Sequence, residues 1–390
     1  MGSVLNDACG SQSGRKPATV LLVDHSPVVG GAELSLIEIA ETLSPRFMPI
    51  VVCTTDCKSF VELAVEKGIQ VFSIPMPRLR GAGGPLALLR SLISFSRLVV
   101  RLKPAIIHSN TVRSHIVSAF VGRLCGVKVI WTLRDFDFPM WLYRILSPLV
   151  HRVVCVSEAV QNLYGLANGK TRVILNGVTR PSLDRKQERA RIRKEFGIPE
   201  NAHLAVCVGR LIEWKGQEEF LRAAAVTKKL VSDAYFMVVG EGPSESYKQT
   251  LKSIASAGGL DGQVIFTGFR KDALACICAA DLLVHASNEA EAFGRVLIEA
   301  MAVGTPLIAA PRGGPSEIVE NGISGLLVDP ADSEHLGRVM ASVLTNRELS
   351  ARLSEGGLSR FERFFDQAIE TRAVEAVYDE LLALDGSKPA

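Results

Sequence analysis

The sequence predicts an α/β protein made of two Rossmann-like, doubly wound domains facing each other across a cleft. Three observations carry that reading: the length of the chain, the recurrence of short Val/Ile/Leu-rich runs between helix-period segments, and a charged stretch midway where the apolar rhythm stops. At 390 residues the chain exceeds the size, about 250–300 residues, at which single cores stop growing. Continuous apolar runs alternating with helices imply parallel sheets covered on both faces, because a strand buried on both sides has no polar face to show.

The first series opens with ATVLLVD from Ala18, followed by a helix from about Ala32 to Leu43 and the strand PIVVC. QVFSI (70–74), AIIHS (105–109), KVIWT (128–132), RVVCV (152–156) and RVIL (172–175) continue it. After Asn176-Gly177-Val178, the segment TRPSLDRKQERARIRKE replaces the apolar period with charge, and Pro181 interrupts it, as in an interdomain linker. A second series follows: HLAVCVG, AYFMVVG, QVIFTG, DLLVHAS, TPLIAA and GLLV. The expected organisation is a disordered tail over residues 1–16, a first domain over 17–180, a linker and first helix over 181–200, and a second domain over 201–365. A helix over 366–390, with its tail, crosses back towards the first domain; Ile369, Ala373, Val377 and Leu381 recur every four residues on one face of it.

The formal charge of +3 conceals an asymmetry, since residues 1–180 carry 20 Lys+Arg against 11 Asp+Glu, and residues 181–390 carry 24 against 30. A basic half suits an anionic acceptor or an anionic membrane surface, although exposed charge also serves plain solvation. Within LALLRSLISFSRLVVRLK, Arg90, Arg97 and Arg101 share one face of an otherwise apolar helix, open to contact with lipid or to a solvated stripe. No apolar run reaches the ~18 residues of a membrane span, and the first residues lack an apolar signal region. The eight cysteines have no C-x-x-C spacing and read as reduced, buried thiols, so a cytoplasmic setting is expected, with peripheral contact at the inner membrane surface open. No nucleic-acid partner is expected.

Each half opens in a way that suits a polyphosphate. VLLVD runs through HSPVVGGAE into a helix, so Gly30 and Gly31 allow close backbone approach to a ligand at the positive end of that helix, or simply a tight turn. In the second half AVCVG leads into Gly209-Arg210-Leu211, with Lys215-Gly216 close behind. Ligands of open parallel sheets bind at the carboxyl ends of strands. There the Arg210 fork and the compact Lys215 charge can neutralise a diphosphate as its negative charge grows. In SNEAEAFGRVLIEAMAVGTPLIA (287–309), Glu291 precedes a helix beginning near Gly294, and Glu299 lies eight positions later. Carboxylates accept hydrogen bonds from sugar hydroxyls, and the N–H groups of a helix start meet sugar or phosphate oxygens.

This E-x7-E segment, with G-R-L-x-x-x-K-G before it and G-G-P-S-E-I (313–318) after it, resembles family 4 of the retaining glycosyltransferases, of GT-B architecture, over about residues 18–380. The resemblance implies an enzyme that moves a sugar from a nucleotide diphosphate-sugar, with UDP as the commonest nucleotide, to a hydroxyl of a glycan, lipid-linked or small-molecule acceptor. Arg210, Lys215 and Glu291 would form the catalytic group. Gly30, Gly31, Gly209, Glu241, Phe269, Arg270, Phe293, Gly294, Arg295 and Glu299 would form the donor site, with Glu299 on the ribose. The family's H-x-H reads His108-Ser109-Asn110 here, and Arg134 stands where many relatives have histidine; these three residues are candidates for the acceptor side. No cofactor and no metal are expected. Asp135-Phe136-Asp137 is a D-x-D outside the phosphate motifs, and His25, His115, His151 and His285 are scattered without ligand spacing and read as polar edge positions. An epimerase or phosphorylase on this scaffold, and a non-catalytic nucleotide-sugar-binding protein, remain alternatives.

Overall fold

The computed structural model describes residues 16–26, 29–76, 84–165 and 169–386. The predicted tail lies outside them, apart from Lys16. Two sheets form. The first comprises β1 (Ala18–Val23), β2 (Phe47–Cys53), β3 (Gln70–Ser73), β4 (Ile106–Ser109), β5 (Lys128–Leu133), β6 (Arg152–Cys155) and β7 (Thr171–Val173), in the order β3-β2-β1-β4-β5-β6-β7. The second comprises β8 (His203–Val208), β9 (Ala234–Val239), β10 (Val264–Gly268), β11 (Leu282–His285), β12 (Leu307–Ala309) and β13 (Leu326–Leu327), in the order β10-β9-β8-β11-β12-β13. The named strands pair in parallel; Leu22, for example, stands between Val51 and His108. Both apolar series of the sequence thus become parallel α/β sheets.

Alternation along each strand sends successive side chains to opposite faces, so the first sheet has two cores. Leu21, Val23, Ile107, Val129 and Trp131 face the helices Gly84–Leu102, Val112–Cys125 and Met140–Leu146. Val20, Leu22, Ile106 and Ile130 face the helix Gly31–Thr42 and the last helix, Gln367–Gly386. That last helix buries Val374, Val377, Tyr378 and Leu381 against the first lobe, with Ile369 and Ala373 at the margin of the stripe. Arg46 pairs with Glu375 and Asp379, and Arg152 with Glu380, along the same contact.

The chain crosses between lobes twice, and the two crossings pair with each other. Val178 donates its N–H to Phe365 O (2.9 Å) and accepts from Gln367 N (3.1 Å). Residues 181–200 are therefore not a free linker. Their helix, Arg185–Phe196, is docked on the second lobe: Arg185 donates to the carbonyls of Gly304 and Ala280 (both 2.7 Å), and Arg189 and Arg193 pair with Asp281. The cations of this segment are spent on carbonyl and carboxylate partners.

Candidate active site

In each sheet the strand order reverses once, between β1 and β4 and between β8 and β11. Such reversal points open a crevice at the carboxyl ends of the strands. The residues after β8 and β11 meet in the second of these crevices. Lys215 Nζ lies 2.6 Å from Glu291 Oε1 and 4.3 Å from the centre of the Trp214 ring. Glu291 Oε2 lies 2.6 Å from His285 Nε2 and accepts from Ser287 Oγ at 3.2 Å. Burial pushes the Glu291 carboxyl up, but His285 and Lys215 outweigh it and hold the group well below the usual carboxylate range. Glu291 is therefore a fixed anion with a lone pair to spare for a ligand hydroxyl.

Backbone geometry creates this meeting. Gly216 has φ +72°, and a Cβ there would stand 1.7 Å from Ala286 O, so only glycine lets the Lys215 turn lie against the chain leaving β11. Asn288 N donates to Trp214 O at 3.0 Å to close the contact. On the other side, Gly313 (φ +71°) would put a Cβ 2.4 Å from Glu291 O, and Gly314 N donates to that oxygen at 2.8 Å. The G-G-P-S-E-I motif thus clamps the Glu291 loop from behind. Gly209 and Glu241 belong to neighbouring turns, joined by Leu211 N donating to Glu241 O at 3.1 Å.

Arg210 is exposed and, among the described residues, enters no ion pair. Phe269 is also exposed, at 67%. Phe293 is buried edge-on to Phe365, and Gly294 precedes the helix Arg295–Ala302. Gly31 faces this helix: a Cβ on it would lie 3.3 Å from Arg295 Cδ. Gly30 N donates to Glu33 Oε2 at 2.8 Å, which caps the helix Gly31–Thr42.

Four of the residues expected at the site are engaged by other groups of the protein. Arg270 is not brought to the cluster; Glu195 and Asp272 take its guanidinium, which lies over Phe196. Arg295 is engaged by Glu38 of the first lobe (2.7 Å) and by Glu299 (2.8 Å), so it ties the lobes together and also holds the carboxylate assigned to ribose. His108 is 1% exposed and lies inside the first lobe, between Tyr378 OH (2.7 Å) and Thr132 Oγ1 (2.6 Å). Burial lowers its imidazole to about 3, which leaves it neutral and structural. Asn110 is buried as well: its amide donates to Asp24 Oδ2 (2.7 Å) and Ala32 O (3.1 Å) and accepts from Arg134 Nε, so it orients Arg134.

Arg134 in turn donates to Asn176 Oδ1 at 2.5 Å and keeps one buried nitrogen, Nη2, without a partner. Around it lie three buried carboxyl groups that residue spacing did not single out: Asp24, Glu33 and Glu370. Burial first, and then Glu33, push Asp24 up to about 7. Burial likewise pushes Glu370 to about 7, although it accepts from Gly177 N at 2.7 Å. Sequence reading also missed His285 as a partner of Glu291 and Glu317 as an interlobe cap. Glu317 accepts from Glu158 N (2.8 Å) and Ala159 N (2.7 Å), beside Ser157 Oγ donating to Ala292 O (2.6 Å). The available signals were the position of His285 at a strand end six residues before Glu291, and the acidic residue inside G-G-P-S-E-I. Asp135 closes a local turn by accepting from Asp137 N at 3.1 Å.

Two parallel α/β lobes joined at their carboxyl-end loops, with a cationic pair and an acidic-flanked helix start in the second, define the GT-B class of glycosyltransferases. Comparison with known proteins agrees. The model of glycosyl transferases group 1 matches residues 188–360, and that of Glycosyltransferase Family 4 matches residues 29–180. The chain is 31% identical over 381 residues to the D-inositol 3-phosphate glycosyltransferase of Nocardioides sp., covering 86% of this chain and 82% of that protein. A GDP-mannose-dependent phosphatidylinositol monomannoside mannosyltransferase of Mycobacterium tuberculosis is 31% identical over 177 residues, 43% of this chain and 45% of its own length. The crystal structure of Anabaena HepE with UDP-glucose matches with a TM-score of 0.81 and 26% identity over 93% of this chain and 100% of that one. The chain belongs to glycosyltransferase family 4. It is a glycosyltransferase of the hexosyltransferase type.

Proposed function

We propose that the chain transfers a hexose from a UDP-sugar to an acceptor hydroxyl, with retention at the anomeric carbon and without a metal ion. The observation that carries the reading is the convergence of Lys215 and Glu291, beside the free Arg210, at the reversal point of the second sheet. Arg210 and Lys215 neutralise the leaving diphosphate, and so supply the charge that a divalent cation would bring. Glu291 accepts from donor-sugar hydroxyls, the start of the helix after Gly294 meets donor oxygens, and the Gly30–Gly31 turn closes over them from the first lobe. Glu299 serves the ribose once Arg295 yields it, and the exposed Phe269 faces the base. On the acceptor side stands Arg134, whose Nη2 has a hydrogen bond to give. The named relative supports trying a phosphorylated inositol as acceptor, and HepE supports UDP.

The test is a donor panel of UDP-, GDP- and ADP-hexoses, scored by nucleoside diphosphate release with and without D-inositol 3-phosphate and a cell-extract acceptor fraction. Acceptor-dependent UDP release, with the donor's anomeric configuration kept in the product, is the expected result. Release from GDP-mannose alone would overturn the UDP assignment, and isomerisation of donor without acceptor would overturn transfer.

A further inference from the structure

Glu291 has partners of two kinds, and they hold different oxygens. Its Oε1 takes Lys215 Nζ at 2.6 Å, and its Oε2 takes His285 Nε2 at 2.6 Å and Ser287 Oγ at 3.2 Å. The three charged or titratable side chains lie in order of depth: Lys215 is 19% exposed, Glu291 16% and His285 4%. The Lys215 side of the carboxylate is thus the one nearer solvent, and the other oxygen faces the protein. His285 has little freedom to move, because it ends β11: it pairs with Ala309 of β12, and its carbonyl accepts from Ala310 N at 3.0 Å. Its other ring nitrogen, Nδ1, is buried and has no hydrogen-bond partner among the described residues. A proton there would be a buried donor with nothing to meet, so the ring carries its N–H at Nε2 and donates it to Glu291.

Transfer as proposed asks Lys215 to serve two anions in turn. One ammonium cannot neutralise Glu291 and an arriving diphosphate at once, and the diphosphate, with more charge than a single carboxylate, draws it away. Glu291 then stands largely out of water with one oxygen bare, a costly state for a carboxylate unless other donors hold it. Given the donor reading above, on which this rests, we propose that His285 is a positioning residue for donor binding: it anchors the inner oxygen of Glu291 while Lys215 passes from the outer one to the donor diphosphate. Ser287 adds a second donor to the same inner oxygen. The outer oxygen, its direction fixed by the anchored one, is then left to accept from a sugar hydroxyl. His285 touches no substrate and acts through Glu291 alone.

The experiment is calorimetric titration of the full chain with UDP and with GDP, which presupposes neither the base nor the transfer. His285→Leu removes the donor to Glu291 and weakens nucleoside diphosphate binding by about 10- to 100-fold, the range for one hydrogen bond to a charged group. The thermal midpoint of the nucleotide-free variant changes little, because Lys215 still pairs with Glu291. His285→Gln, whose amide N–H can stand in for Nε2–H, recovers most of the affinity. So does His285→Leu combined with Glu291→Gln, which leaves no carboxylate to be stranded; a ring needed only for packing would not be replaced in that way. Undiminished binding by His285→Leu, or failure of both companion variants to recover it, overturns the proposal. The anchor is also read without nucleotide: His285→Leu with Lys215→Ala lowers the thermal midpoint by more than the two single changes summed, and adding Glu291→Gln relieves the excess. Additive losses overturn it. Wild-type protein that binds neither nucleotide marks a failure of the donor reading, on which the melting cycle does not depend.

Discussion

The two lobes repeat one architecture but use their charged residues differently. In the second, Arg210 is exposed and Lys215 and Glu291 meet at the lip of the crevice, both partly open to solvent, with the buried His285 behind Glu291. In the first, the equivalent reversal point is occupied by Asp24, Glu33, Asn110, Arg134 and Glu370, most of them buried and bonded to one another. A catalytic centre for a diphosphate needs cations that remain available. A lobe that must hold a loop, a helix start and a returning C-terminal helix in one place spends its charges internally, where removing one partner leaves another uncompensated.

The largest effect should therefore come from the first lobe. Arg134→Met takes the cation from among three buried carboxyls and should cost about 3 kcal/mol of stability at pH 8. The cost should be smaller at pH 6, where Asp24 and Glu370, both held near 7, are largely protonated. Thermal melts at the two pH values decide it, and equal losses would mean that Arg134 does not answer to those carboxyls. Next comes Lys215→Ala, which should lower turnover by about 10²–10³ with little change in melting, since Glu291 keeps His285. A comparable loss of stability would turn Lys215 into a structural residue and erase the contrast.

The pH responses of the lobes should run in opposite directions. Glu370 rises from an ordinary 4.5 to about 7 in the fold, so the native state holds a proton that the unfolded chain gives up. Stability from this source is complete below about 4.5 and declines as pH rises through 7. Glu291 is depressed, so its contribution is present above its ordinary 4.5 and is lost as pH falls towards the folded value. Glu370→Gln should flatten the neutral limb of a stability–pH curve and Glu291→Gln the acid limb. If either variant alters the opposite limb, the assignment of the limbs to lobes fails. The smallest expected effect is that of a chelator: if Arg210 and Lys215 carry the diphosphate charge, as proposed, EDTA should leave donor turnover unchanged, and loss restored by Mg²⁺ would show that the pair is not enough.

Much of the fold was legible because the information is local. Strands buried on both faces read as near-continuous apolar runs, and ATVLLV, AVCV and LLVH are such runs. The placement of Arg210, Lys215 and Glu291 was legible for a related reason. They stand in the loops that follow β8 and β11, where chain order alone places a residue at the rim of the sheet. Arg270 stands at a strand end too, yet Glu195, 75 residues away, claims it. His108 has the residue type of a reacting group and the surroundings of a core residue.

Sequence by itself determined the two parallel sheets, their order in the chain, and which residues lie in the loops at the carboxyl ends of the strands, because backbone periodicity and strand-end placement depend on near neighbours. Only the tertiary structure decided which charges stay free. Whether Arg295 faces a ligand or ties Glu38 to Glu299, and whether Glu370 sits in water or beside Arg134, depends on partners far along the chain, Glu38 at 257 positions from Arg295 and Arg134 at 236 from Glu370. Burial and pairing set the cost of a charge, and both are properties of the packed molecule, beyond the reach of spacing in a sequence.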